Sequence, residues 1–298
     1  MRQVTLVVFI ALVTALGGLG GGRAFAAPFE PGSIPDQVQA VGHLDLDALR
    51  KTQIFGALGG QTAIDTALDH APSELRPLAR SLARSARGIS FWRGSDHGAV
   101  YLETRDGRAL AQVIAKLPMA PARPVDGVPT YTMDHGGKPA HVAVFGDTLV
   151  LADSAETMES SLHVLGGKAA SLAGSSKLPI SSRQGVFVFV TIGDDLLSAI
   201  HKSAHAKVLQ LAIRSVVIDV YESAGVVTAT AHAEMATAEA LQKAKSILDG
   251  LHTLASLSDD PTARALLDRV TVTAAGLALE VVAKAPAAEL AKVIQLAR

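Results

Sequence analysis

His201 and His205 stand at positions i and i+4 of "AIHKSAHAK", a spacing that lets two imidazoles on one helix face share a metal ion. The zinc-protease form of that pair carries a glutamate directly after the first histidine, and here the position holds Lys202. A helical wheel sets both rings beside the apolar stripe of the segment, so edge-of-core histidines are the plainer reading and the metal pair is the alternative. Ser95, Asp96 and His97 are the residue types of a hydrolase triad. Adjacent residues on a tight turn point in different directions and cannot form the relay, so they read as a hairpin loop. Asp219, Thr230 and His232 fall on one predicted sheet face. The predicted register leaves the acid and the histidine about four residues apart, over roughly 10 Å at about 3.4 Å per residue, too far for contact.

Asp45 and Asp47 flank one leucine in "GHLDLDALRKTQIF". Both sit where an alternating strand pattern gives way to helical periodicity, and Asp194-Asp195 occupy the matching place in "TIGDDLLSAI". An aspartate there accepts the unpaired first-turn amides and suits the positive helix end, for about 1 kcal/mol. No recognisable set of acids or histidines converges on the pair, so the capping role is expected. The chain lacks a G-x-S-x-G elbow, a phosphate loop and any cysteine, so no catalytic residue and no cofactor is expected.

Two features suit contact rather than catalysis. With Arg93 facing Gly98, the hairpin "ISFWRGSDHGAVYLE" turns Ile89, Phe91, Val100 and Leu102 inward and Ser90, Trp92, Tyr101 and Glu103 outward. The sole tryptophan then lies diagonally across from a tyrosine, as a platform for a ligand or partner, or as an aromatic pair buried against the other half of the chain. The second feature is "SELRPLARSLARSAR", which lines Arg76, Arg80, Arg84 and Arg87 along one side of a helix opposite Leu75, Leu78, Ala79, Leu82 and Ala86. A basic amphipathic helix of this kind is either a solvated arginine face over a core-packed one or a contact for anionic lipid or an acidic partner.

The elements that must position these residues recur in a fixed order. After an opening strand and helix come two hairpins separated by "GRALAQVIAKL", and "SAETMESSLHVL" closes the half. The same succession returns from "GVFVFVTIG" to "PAAELAKVIQLA". The expectation is an α+β fold built from two copies of β-α-ββ-α-ββ-α, antiparallel sheet with helices on one face, and an extra helix in the first copy. The repeats are placed at 27–165 and 185–298, joined by a Gly- and Ser-rich linker over 166–184. Hairpin registers follow from the turns: Gly146-Asp147 pairs Val144 with Leu149, Ala275-Gly276 pairs Val272 with Leu279, and Glu222 faces Gly225.

Residues 1–26 have the layout of a secretory signal peptide: Arg2, an apolar stretch from Val4 to Leu16, and Ala24-Phe25-Ala26 before the expected cleavage. Removing Arg2 and Arg23 takes the formal net charge from −1 to −3, which argues against nucleic acid as a partner. Aromatic residues make up only 4%, few for a protein that stacks on sugars or bases. The blocks "HLDLDALRKTQIFGAL" and "FGDTLVLADSAETMESSLHVL" resemble a type of exported bacterial protein with a duplicated α+β plan and no known function. That resemblance covers most of the chain after the leader, rests on structural motifs, and implies export and duplication without an activity or a substrate. The expected protein is therefore exported to the periplasm or medium and non-catalytic, with another envelope protein or an anionic lipid surface as partner. A carrier of lipid or another apolar ligand, and a histidine-centred hydrolase, are the alternatives.

Overall fold

The structure is a computed structural model that describes residues 28–69, 76–134, 139–175, 178–181, 185–194, 212–256, 264–265 and 268–296. The signal-peptide residues, His201 and His205 lie outside the described residues. The chain is α+β, with antiparallel strand pairing throughout its hairpins. It divides into two compact units after Ser175, and Gln39–Gly42 cluster with the second.

The first unit takes β1 (Ala40–Asp45) from His43 onward, then α1 (Leu46–Leu49), α2 (Gln53–Ala57), α3 (Gly60–Asp69), α4 (Arg76–Ser85), β2 (Ala86–Arg93) and β3 (Gly98–Thr104). It continues with α5 (Gly107–Ile114), β4 (Ala120–Pro121), β5 (Thr130–Asp134), β6 (Pro139–Phe145), β7 (Thr148–Ala152) and α6 (Ala155–Leu165). Its strands lie in the order β1-β2-β3-β7-β6-β5-β4. The single helix expected from Asp47 is broken into pieces for local reasons. Thr52 accepts the Phe55 amide and starts a fresh helix, and Gly59 and Gly60 take φ of +100° and +50° between α2 and α3. β4 and β5 go beyond the sequence expectation, with β5 extending the sheet through Thr130 opposite Ala143 and Thr132 opposite His141.

The second unit contains β8 (Val186–Gly193), β9 (Ile213–Ser223), β10 (Val226–Met235), α7 (Ala238–Ser256), β11 (Val270–Ala275), β12 (Ala278–Pro286) and α8 (Ala287–Leu296). Its strand order is β11-β12-β10-β9-β8. Leu241 and Ala244 of α7 pack with Met235 and Leu279 in a small core under the strand ends.

Of the four predicted registers, Arg93–Gly98 in β2–β3 matches, as do Val142–Leu151 and Val144–Leu149 in β6–β7. The other two hairpins shift by two residues: Val272 pairs with Val281, and Glu222 with Val227. The turns are Gly276-Leu277 and Ala224-Gly225, where Gly276, Ala224 and Gly225 supply the positive φ. A two-residue shift preserves side-chain parity, so each strand keeps its predicted face composition.

Sidedness differs from the expectation of one covered face. In the first unit Ile89, Leu102 and Leu149 are buried on one face, while Ser90, Trp92, Tyr101 and Val150 are buried on the other. α6 packs on β3, β6 and β7 and brings Met158, Ser161 and Leu162 into the interior. In the second unit both faces hold buried residues: Phe187, Phe189, Thr191, Ser215, Asp219, Thr228 and Thr230 on one, and Val227 and Leu279 on the other, where Val188, Val190, Ile192, Val216, Ile218 and Val220 are half-buried.

Candidate functional site

The residues able to do chemistry gather in the first unit, where β1, α1 and the neighbouring strands meet. Asp45 ends β1 in an extended conformation and accepts the Ala48 amide at 2.8 Å, which makes it the cap of α1 as expected. Asp47 departs from that expectation. Its carboxylate, 1% exposed, is an ion-pair hub: Oδ1 accepts from Arg50 at 3.0 Å and from Arg105, and Oδ2 accepts from Arg87 Nε at 3.4 Å. Arg50 also donates to the Ala86 carbonyl at 2.7 Å, tying α1 to the start of β2. The Arg50 Nε and Nη2 groups are buried with no hydrogen-bond partner among the described residues, and burial holds this guanidinium below its ordinary pKa against the opposing pull of Asp47.

Glu103 of β3 is half-buried and in register with Gly88 of β2. Burial pushes its carboxyl up to about 7, helped by Glu30, Asp45 and Asp47 and opposed by Arg87. Further along the same face, His43 Nδ1 and Ser90 Oγ share a hydrogen bond of 2.9 Å, and the Phe29 ring lies against the imidazole at a centroid distance of 5.8 Å. A serine bonded to histidine, with an acid of raised pKa on the same face, has the residue types of nucleophile chemistry. Both members of the pair are almost wholly buried, so a substrate has no approach to Ser90 in this conformation.

Other predicted residues are placed differently. Trp92 and Tyr101 hold the predicted diagonal relation but are 3% and 1% exposed, so they form no open platform. Their cover includes α6 of their own unit, which periodicity within the hairpin does not report. Arg76, Arg80 and Arg84 lie on α4, and Arg80 is exposed. Arg87 leaves the predicted arginine face altogether, because the helix ends at Ser85 and Arg87 enters β2, where it meets Asp47. Ser95, Asp96 and His97 are exposed in the β2–β3 turn, closed by the Gly94 amide donating to the His97 carbonyl at 2.8 Å.

In the second unit, Asp219 sits opposite Thr230 and accepts from Ser181 Oγ at 2.9 Å. His232 is exposed and two positions, rather than four, along the strand from that pairing. Among the described residues, no three His, Cys, Asp or Glu side chains are grouped to hold a metal ion. Sequence reading missed the Asp47 hub, Glu103 and the His43–Ser90 pair. Their partners are 40 to 58 residues away for the hub and 47 for the pair, apart from the local Arg50, and no short motif encodes them.

No protein-family model and no curated protein matches the chain. Three crystal forms of TP0453 share its fold. Form III matches with a TM-score of 0.51 and 11% identity over 91% of this chain and 99% of that one. Form IV gives 0.54 and 11% over 93% and 99%. Form I gives 0.50 and 12% over 91% and 98%.

Proposed function

We propose that this chain is an exported, non-catalytic protein that acts by binding an apolar partner on the half-buried aliphatic face of β8 and β9 in its second unit. The observation that carries this reading is a ladder of three cross-strand aliphatic pairs: Val188–Val220, Val190–Ile218 and Ile192–Val216. All six side chains are half-buried, while polar residues on the opposite face are covered. An aliphatic ladder that the described residues leave half-accessible suits an apolar counterpart. The non-catalytic part rests on the first unit, where Asp47 is neutralised by arginines and Ser90 is enclosed with His43. His232 lends the hydrolase alternative no support, because it is exposed and stands two strand positions from the Asp219–Thr230 pairing.

The counterpart is another envelope protein or a lipid surface. A carrier of a single apolar molecule is the second reading, and the same ladder favours it. The two halves follow the same strand path, β1-β2-β3-β7-β6 and β8-β9-β10-β12-β11, which supports the duplicated plan as part of this reading.

The test uses the mature chain and the apolar dye N-phenyl-1-naphthylamine. Dye fluorescence is expected to rise on the wild type and to be lost in Ile218→Glu, with circular dichroism confirming that the variant is folded. No rise on the wild type, or an equal rise on the folded variant, overturns the proposal. Native mass spectrometry of protein taken from the producing cells separates the versions: a bound lipid selects the carrier, and a bound protein selects the interaction partner. An intact mass beginning at Ala27 supports export, and an uncleaved leader refutes the expected processing.

A further inference from the structure

The terminal strands of the two units are finished differently. β4, at the end of the first, is two residues long and includes Pro121, so it offers little backbone for further pairing. β11, at the end of the second, consists of valine, threonine and alanine over Val270–Ala275, with no proline, charge or bulge. Among the described residues no strand lies beyond it. An edge of that length and composition is a template for another strand.

The register with β12 fixes which backbone groups face outward. Opposed residues of an antiparallel pair alternate between exchanging hydrogen bonds and not. The Lys284 amide donates to the Arg269 carbonyl at 3.3 Å, so in the same register Thr271, Thr273 and Ala275 turn their backbone groups toward β12. Val270, Val272 and Ala274 direct theirs away from the sheet. These three are symmetric about Val272, which makes the edge self-complementary. A two-fold axis there pairs Val272 with its own copy, Val270 with Ala274, and Thr271 with Thr273. Every outward amide and carbonyl of β11 then meets its complement, and the aliphatic and threonine faces each match their own kind. Centring the axis on Thr271 or Thr273 leaves one outward residue without a partner in the strand.

We propose that the edge of β11 is a homodimer contact, at which a second copy of this chain pairs antiparallel about Val272 and continues the sheet. The contact is distinct from the aliphatic face of β8 and β9, since β10 and β12 stand between them in the strand order.

The test is sedimentation of the mature chain over a rising concentration series. The mass is expected to climb from one chain to two in the wild type and in Ile218→Glu. It is expected to stay at one in Ala274→Pro, which removes an outward N–H and leaves the β12 pairing intact. Circular dichroism confirms that both variants are folded. A wild type that stays single, or a dimer that persists in folded Ala274→Pro, overturns the proposal. Loss of the dimer in Ile218→Glu also overturns it, by moving the contact to the aliphatic face. Oxidation reads the register separately, because the chain has no cysteine of its own. Thr271→Cys and Thr273→Cys chains, when mixed, oppose their thiols at a pair with Cα atoms about 4.5 Å apart, within disulfide reach. The mixture is expected to cross-link faster than either variant alone, and equal rates overturn the inference.

Discussion

Glu103→Gln isolates the largest titration effect resolved in the first unit. The folded carboxyl stands at about 7 against an ordinary value of 4.5, chiefly because of burial. Between those values the folded chain holds a proton that the unfolded chain has released, so stability falls as pH rises through the window and stays low above it. At about 1.4 kcal/mol per tenfold change in proton affinity, the rise from 4.5 to about 7 sets a ceiling of about 3 kcal/mol. Glutamine keeps the shape and removes the titration. Urea unfolding followed by the buried Trp92 reports the unit that contains Glu103, and is compared at about pH 5 and about pH 8. The wild type is expected to lose about 1 to 3 kcal/mol more than Glu103→Gln over that interval, and the variant to be the more stable of the two at the higher pH. Titrating groups that do not interact with Glu103 are common to both proteins and cancel in the comparison. Equal pH slopes refute the assignment.

Asp47→Asn removes the charge that holds three guanidiniums, including the buried Arg50, and is expected to cost about 3 to 5 kcal/mol in chemical denaturation. Arg105→Gln, at the more exposed end of the same cluster, is expected to cost below about 1 kcal/mol by the same measurement. Asp45→Ala loses the α1 cap and is expected to cost about 1 kcal/mol in urea. Gly107→Ala would set a Cβ against the Gly146 carbonyl oxygen and 2.8 Å from Asp147 Cα, so a loss of about 1 to 3 kcal/mol is expected in thermal unfolding. Gly174→Ala meets nothing within 4 Å and is expected to stay within about 0.5 kcal/mol.

Strand order along the chain was legible because alternation and turn residues are local signals. The Gly146-Asp147 hairpin could be registered outright, since glycine in the first turn position takes φ of +56°. Applying that same glycine-first turn to Gly276-Leu277 yields the observed register, whereas placing Gly276 second does not. What periodicity could not supply was the covering layer. Alternation separates Phe91 and Val100 from Trp92 and Tyr101, but α6 decides which side is sealed, and it lies more than fifty residues further on. The helix cap at Asp45 was readable from its own neighbours. Asp47, with the same residue type two positions later, was not, because Arg87 and Arg105 reach it only after the chain has turned back.

The span of that cluster also orders events in time. Arg50 is 3 residues from Asp47 and can pair within the first turns of helix, but Arg87 and Arg105 are 40 and 58 residues away. Closing those longer loops carries an entropic cost that must be met before the contacts form. The hub is therefore expected to be completed late, once the β2–β3 hairpin has brought both arginines to the end of β1. An interaction absent from the folding transition state acts on the exit rate, so its loss speeds unfolding and leaves the rate of folding nearly unchanged. By this ordering the buried hub works as a latch, setting how long a folded first unit persists more than how quickly it is reached.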